Sequence, residues 1–284
     1  FAERRRSLQK PISKAHTHAH MVGRVAVVTG GNKGIGYHIA DSLVRSGLFG
    51  AVVIGCRDEG RGQKAARELG CDFMQLEIGN AASTASFASA FTQKYGRLDA
   101  LVNNAAIAFK GADPTPFEQQ TAPTLDINYR GTRAVTDALL PLLRKGEDPR
   151  LVSVASMAGR LGQVQAPLQA KFSSPRLTLP ALDALVDKFQ ADVQAGTHKR
   201  SGWGNSNYGF SKLAVIAATN VLARENPGVK VNCCCPGYCD TDMSSHRGPR
   251  SAADGAQNAV ILVTTPVAQT PTGIFVRDMK PASW

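Results

Sequence analysis

The chain has 284 residues, 43% of them hydrophobic and 19% charged, with a formal net charge of +11. That balance suits one large soluble domain or two small ones, and no run of 18 apolar residues offers a membrane span. Part of the charge lies in residues 1–20, where five basic residues face one acid; the rest is scattered, with no basic stripe and no aromatic RNA signature, which argues for an anionic small ligand and against nucleic acid.

Residues 1–22 carry no apolar periodicity and are read as an extension outside the fold, either a tail or a trimmed basic targeting segment. From residue 23 the pattern changes. RVAVVTGG reads as a buried strand ending in glycines, and IGYHIADSLVRSG as a helix closing on Gly47. AVVIGC is a second strand, followed by a helix opened by Asp58 and closed by Gly70. DFMQLEI (strand), ASTASFASAFTQKYG (helix) and LDALVNNA (strand) come next, then a long helix over residues 124–145. RLVSVAS and VKVNCCC are strands five and six with another helix between them, and GIFVRD reads as a short final strand.

Continuously apolar strands alternating with helices imply a parallel sheet covered on both faces, with a ligand crevice at the carboxyl ends of the strands. One α/β domain over 23–284 accounts for the whole pattern. One interval breaks the rhythm: about fifty residues, roughly 157–207, separate strand five from the next helix. Within it Leu182, Leu185, Val186, Phe189 and Val193 recur at helical spacing, so this is an inserted helix whose apolar face must cover either the same molecule or a partner.

The six cysteines are Cys56, Cys71, Cys233, Cys234, Cys235 and Cys239. Three adjacent cysteines do not make a disulfide framework, and C-x-x-C spacing is absent, so a reducing compartment is expected and no metal site. A thiol of the 233–235 cluster reads first as buried strand, with reactivity at a pocket edge the lesser alternative.

The chemistry sits at the strand ends. Thr29, Gly30, Gly34 and Gly36 form a glycine turn running into a helix start, where backbone N–H groups and the helix dipole favour a pyrophosphate. At the end of the second strand Cys56 stands where a carboxylate would hold a ribose 2′-hydroxyl. Arg57 instead offers a fork for phosphate, and Lys33 lies within reach, which predicts NADP over NAD. Asn103 and Asn104 end the fourth strand and Ser156 the fifth, with Ser153 one step too deep. In NSNYGFSKLA, Tyr208 and Lys212 are one helical turn apart on one face. Bringing a tyrosine from ~10 to ~7 takes about 4 kcal/mol, much of which a partly desolvated ammonium can supply, so Lys212 is expected to tune Tyr208 as an acid.

TGGNKGIG, NNAAIAFKGADPTPF, NYGFSK, CCPGYCDTDM and GIFVRD together resemble the short-chain dehydrogenase/reductase family, and within it the NADPH-dependent carbonyl reductases of the cytoplasm. The resemblance runs from about residue 23 to the end and implies a Rossmann-type doubly wound fold. The insertion is typical of that subgroup and implies a monomer. The resemblance further implies that Tyr208 is the proton donor. By the same resemblance, Lys212 would bind the nicotinamide ribose, Ser156 would hold the substrate carbonyl, and Asn128 would hold a water linking Lys212 to solvent. It assigns Thr29, Gly30, Asn32, Lys33, Gly34, Ile35, Gly36, Arg57, Glu77, Ile78, Asn103, Pro236, Gly237 and Thr241 to NADPH/NADP+ alongside Tyr208 and Lys212, and Met157 and Tyr238 to the substrate pocket. Ala106, Glu77 and Tyr238 depart from the family's usual glycine, aspartate and tryptophan, the last bearing on substrate range.

The function expected is hydride transfer from NADPH to a ketone, aldehyde or quinone, with no nucleic-acid or membrane partner. The alternatives are an NADP-dependent alcohol or steroid dehydrogenase and a non-catalytic NADPH sensor.

Overall fold

The computed structural model describes residues 23–284; the expected extension over 1–22 lies outside them. Strand β1 (Val25–Thr29) is apolar and fully buried, as a central parallel strand must be. It is flanked by β2 (Ala51–Cys56) and β4 (Ala100–Asn103), both parallel to it. The sheet runs β3-β2-β1-β4-β5-β6-β7-β8, with β3 at Asp72–Gln75, β5 at Arg150–Val154, β6 at Lys230–Cys235, β7 at Phe275–Arg277 and β8 at Lys280–Ala282. The chain moves outward from β1 through β3, then returns to β4 on the other side of β1. The order therefore reverses beside β1, and the crevice opens there.

Helices α1 (Gly34–Arg45), α2 (Glu59–Leu69) and α9 (Ala252–Thr264) cover one face with Ile39, Leu43, Ala65 and Leu262. Helices α3 (Ala81–Tyr95), α5 (Thr132–Leu143) and α8 (Asn207–Glu225) cover the other with Phe87, Phe91, Leu139 and Leu222. The sequence signals for helix ends hold where they were strongest. Asp58 caps α2 by accepting from the Arg61 amide at 2.8 Å, and Gly70 closes it in the left-handed region at φ 67°.

Three differences from the sequence reading have physical causes. The helix expected from residue 124 begins at Phe117, behind the prolines of DPTP: α4 covers Phe117–Leu125 and leads through a π-helical turn, Asp126–Gly131, directly into α5. A π turn inserts one residue into the helical register, which no hydrophobic period announces. Second, the final strand is a hairpin: β8 pairs antiparallel to β7, with Arg277 opposite Lys280 across a two-residue turn. Asp278 and Met279 both take positive φ, 51° and 60°, the conformation in which glycine or asparagine is usual. With no glycine in RDMK, the turn signal is absent. Met279 is 59% exposed, so Met279→Gly removes local strain without losing a packed side chain. We expect the substitution to stabilise the fold by about 0.5–1 kcal/mol, read as a higher urea midpoint at unchanged slope.

Third, the insertion holds more than one helix. Helix α6 (Ala166–Phe172) precedes α7 (Leu179–Gln194), whose Leu182, Val186, Phe189 and Val193 are buried against the chain's own Leu125, Phe210, Leu213 and Ala217. Phe189 stacks on Phe210 with ring centroids 3.8 Å apart, and Trp203 meets both rings edge-on. Polar ties finish the seam: Tyr129 donates to Asp183 at 2.6 Å and Arg130 pairs with Asp187 at 2.6 Å. The insertion thus covers α4, the π turn and α8 of its own molecule. No helix among the described residues is long and apolar enough to cross a membrane.

Candidate active site

At the reversal point a cleft of about 1090 Å³ opens over the carboxyl ends of β1, β2 and β4. Its floor is the glycine turn. Gly30 and Gly34 take φ of 65° and 55°, and a Cβ at Gly36 would stand 2.4 Å from the Gly30 carbonyl, so only a bare backbone permits this curve. Lys33 takes the N-cap position of α1 without capping it through its side chain, and the first helical turn holds no acid, so N–H groups and a positive helix end face the cleft. Gly30, Asn32, Lys33, Gly34, Ile35 and Gly36 all line it, as do Arg57, Glu77, Ile78 and Thr241. All ten of these candidates lie along one cleft.

Thr29 and Asn103 do not line the cleft; they support it. The Thr29 hydroxyl accepts from the amides of Asn104 and Ala105, both at 3.0 Å. Asn103 turns toward α5 and donates to Thr136 at 2.8 Å, because successive strand residues face opposite ways. Asn104 lines the wall instead, tied to the Thr29 carbonyl at 2.9 Å. Arg61 and His38, which sequence reading passed over, also line it; Arg61 sits in the first turn of α2, four residues after Arg57. Arg57 makes no ion pair among the described residues, whereas Lys33 is paired with Asp242 at 2.6 Å. A free guanidinium beside Cys56, with no carboxylate at that strand end, fits a phosphorylated ribose.

A second group stands at the ends of β5 and β6. Ser156 caps the 3-10 turn Met157–Gly159, accepting from the Ala158 amide at 3.1 Å, and its hydroxyl stands beside Tyr208. A Cβ at Gly159 would sit 2.6 Å from the Lys212 carbonyl carbon. That close approach brings the Ser156 turn against α8, and its glycine carried no separate signal in the sequence. Lys212 is buried at 4% exposure, donates to the Val154 carbonyl at 2.9 Å, and lies 5.6 Å from the Tyr208 ring centre. Ser153 stays inside β5, as expected.

The electrostatics differ from the sequence expectation. Burial pushes Tyr208 up to about 12, with the Ser156 hydroxyl beside it pulling the other way. Burial also brings Lys212 down to about 8. In this geometry desolvation sets the direction, and Tyr208 is protonated at neutral pH.

Asn128 sits on the π turn. The π turn carries it inward, where its Oδ1 accepts from the Ile107 amide at 2.8 Å and its Nδ2 donates to the Ile107 carbonyl at 2.9 Å and to Ser211 at 3.0 Å. Both amide hydrogens are committed to protein. Its visible work is to tie the cleft wall at Ile107 to the Tyr208 helix, since Ser211 donates to the Tyr208 carbonyl at 2.7 Å.

The loop after β6 completes the site. Arg250 donates to the Pro236 carbonyl at 3.1 Å and to Asp278 at 2.6 Å, pinning the Pro236–Gly237 bend to the β7–β8 turn. Neither Pro236 nor Gly237 lines the cleft; they carry Tyr238, 56% exposed, beyond it. Met157 is half-buried against Val215, Phe275 and Cys235. The Cys235 sulfur accepts from the amides of Met157 at 3.3 Å and Gly237 at 3.4 Å, joining the two loops from below. All six cysteines are free, and Cys233, Cys234 and Cys235 are buried, in keeping with the strand reading of the cluster.

Residues 24–173 and 192–252 match the family model described as short chain dehydrogenase. The chain belongs to that family. This short-chain dehydrogenase is 41% identical over 274 residues to carbonyl reductase (NADPH) 1 of Mus musculus, spanning 92% of the chain and 98% of the relative. It is 40% identical to carbonyl reductase (NADPH) 3 of Rattus norvegicus over the same shares. Among solved structures, salutaridine reductase from Papaver somniferum superposes with a TM-score of 0.82 at 32% identity, covering 89% of this chain and 99% of that one. The unmatched interval, 174–191, falls in the insertion that holds α7.

Proposed function

We propose that this short-chain dehydrogenase is an NADPH-dependent carbonyl reductase acting on ketones, aldehydes or quinones. The observation that carries the reading is Ser156 placed beside Tyr208, one turn from a buried Lys212, at the strand ends next to a glycine-floored cleft lined by Arg57, which makes no ion pair among the described residues. The mouse and rat relatives, named as NADPH carbonyl reductases, support it.

When bound, NADPH supplies a hydride to the carbonyl carbon. The residues then have separable tasks. The Ser156 hydroxyl donates a hydrogen bond to the carbonyl oxygen and fixes it near Tyr208. The Tyr208 hydroxyl, kept protonated by burial, gives its proton to that oxygen as negative charge builds there; an alkoxide is a stronger base than a phenolate, so the transfer runs downhill. Lys212, one turn along, stabilises the phenolate left behind. Asn128 holds α8 in register with the cleft wall. Arg57 and the open α1 N-terminus bind the cofactor's phosphates. Met157 and Tyr238 flank the carbonyl as pocket walls.

The apolar face of α7 is spent on the chain's own core, which supports a monomer. Six free thiols fit a reducing compartment, and we place the protein in the cytoplasm on that ground.

The test is oxidation of NADPH and NADH, followed by absorbance, against a panel of quinones, α-dicarbonyls and aromatic ketones. NADPH should be consumed much the faster. Arg57→Ala should shrink the preference by about ten-fold, the worth of one charge-assisted hydrogen bond. Tight NADPH binding without turnover on any carbonyl would replace the reductase by a sensor.

A further inference from the structure

Lys33 belongs to the glycine loop, yet its ammonium reaches across the cleft to the loop that follows β6, where it lies 2.6 Å from Oδ2 of Asp242. Both side chains are more than half exposed, at 57% and 60%, and both line the cleft. The other oxygen of Asp242 is 3.2 Å from Nε2 of His246, whose Nδ1 is 2.6 Å from Asp240. Between these acids Thr241 rests against Gly34: a Cβ on that glycine would be 3.5 Å from the threonine methyl. The 240–246 loop is therefore fastened onto the glycine loop, and among the described residues Lys33 is the one cation that crosses from one to the other.

A lysine ammonium is a compact point charge on a flexible stem, and a carboxylate 2.6 Å away already answers that charge. A second anion entering the cleft beside Arg57 and Arg61 competes with Asp242 for Lys33. A phosphate monoester brings more charge and more acceptor oxygens than a carboxylate, so it wins the exchange, while Asp242 keeps His246 as a partner. A dinucleotide without that phosphate leaves the pair closed.

Building on the NADPH reading, we propose that Asp242 is a specificity-determining residue that competes with the cofactor's 2′-phosphate for Lys33, so that binding of the phosphorylated dinucleotide exchanges one anion for the other and unfastens the 240–246 loop from the glycine loop. Asp242 then lowers affinity for the right cofactor slightly while tying loop release to its arrival.

The exchange is tested by calorimetric titration of the full chain with NADPH, NADH and 2′,5′-ADP, comparing the unmodified protein with Asp242→Asn, which keeps the side chain's shape. Exposed pairs are weak, so loss of the competitor should tighten NADPH and 2′,5′-ADP by about two- to five-fold and leave NADH unchanged. Adding Lys33→Ala should abolish the gain. An equal gain for NADH, or unchanged or weaker NADPH binding in Asp242→Asn, overturns the competition while the NADPH preference of the unmodified chain stands. If the unmodified chain binds NADPH and NADH equally, the cofactor reading falls and the exchange with it.

Discussion

Replacing Tyr208 by phenylalanine should lower carbonyl reduction by about a thousand-fold while NADPH binding stays within a factor of two or three, general acids contributing roughly 10²–10⁴ in rate. The substitution removes one hydroxyl and keeps the ring. The ring stays in place and Ser156 retains its bond to the Ala158 amide, so the change in stability is small. Lys212 keeps its own anchor on the Val154 carbonyl. The loss should therefore fall on kcat and leave the affinity measured by nicotinamide fluorescence intact. Turnover near that of the unmodified protein would sink the assignment of the proton donor, and a matching collapse of cofactor affinity would show that the tyrosine's role is structural.

The second large effect lies away from the chemistry. Phe189→Ala should destabilise the fold by about 3–5 kcal/mol, the range for an aromatic truncated in a packed core. Phe189 is fully buried between Phe210 of the catalytic helix and Trp203, so the cavity has rings on two sides that cannot readily collapse into it. For a domain of this size the midpoint of thermal unfolding should fall by roughly 10 °C. Because α7 also carries Asp183 and Asp187 onto Tyr129 and Arg130, loosening it should disturb the π turn and thus Asn128. A loss below about 1 kcal/mol would mean that the insertion is an appendage rather than part of the cooperative core.

What the sequence disclosed and what it hid divide by range. Strands β1, β2 and β5 were visible because a strand buried on both faces reads as a nearly continuous apolar run, and α2 because its cap signals, Asp58 and Gly70, act over three or four residues. Tyr208 and Lys212 were visible for the same reason: one helical turn fixes their relation. The hidden features depend on residues far apart. The partner of Lys33 lies 209 positions away, and Asn128 is held by Ile107 and Ser211, 21 and 83 positions off. The sense of the Tyr208 shift depends on how much water the finished site excludes, and no spacing of residues gives that. The π turn and the Asp278–Met279 turn stayed hidden because each breaks a local rule and leaves no compositional mark.

The hairpin that closes the chain also settles how the sheet ends. A parallel sheet that stopped at β7 would present an open row of amide and carbonyl groups, a template on which a strand of another molecule can grow. Instead β8 lies along it, only three residues long and running the other way, with Lys280 and Pro281 in its sequence. Proline has no amide hydrogen to offer a newcomer, and a lysine on so short a ribbon repels a second copy of itself. The last few residues act as a selvedge, the finished border that keeps a woven cloth from being extended thread by thread.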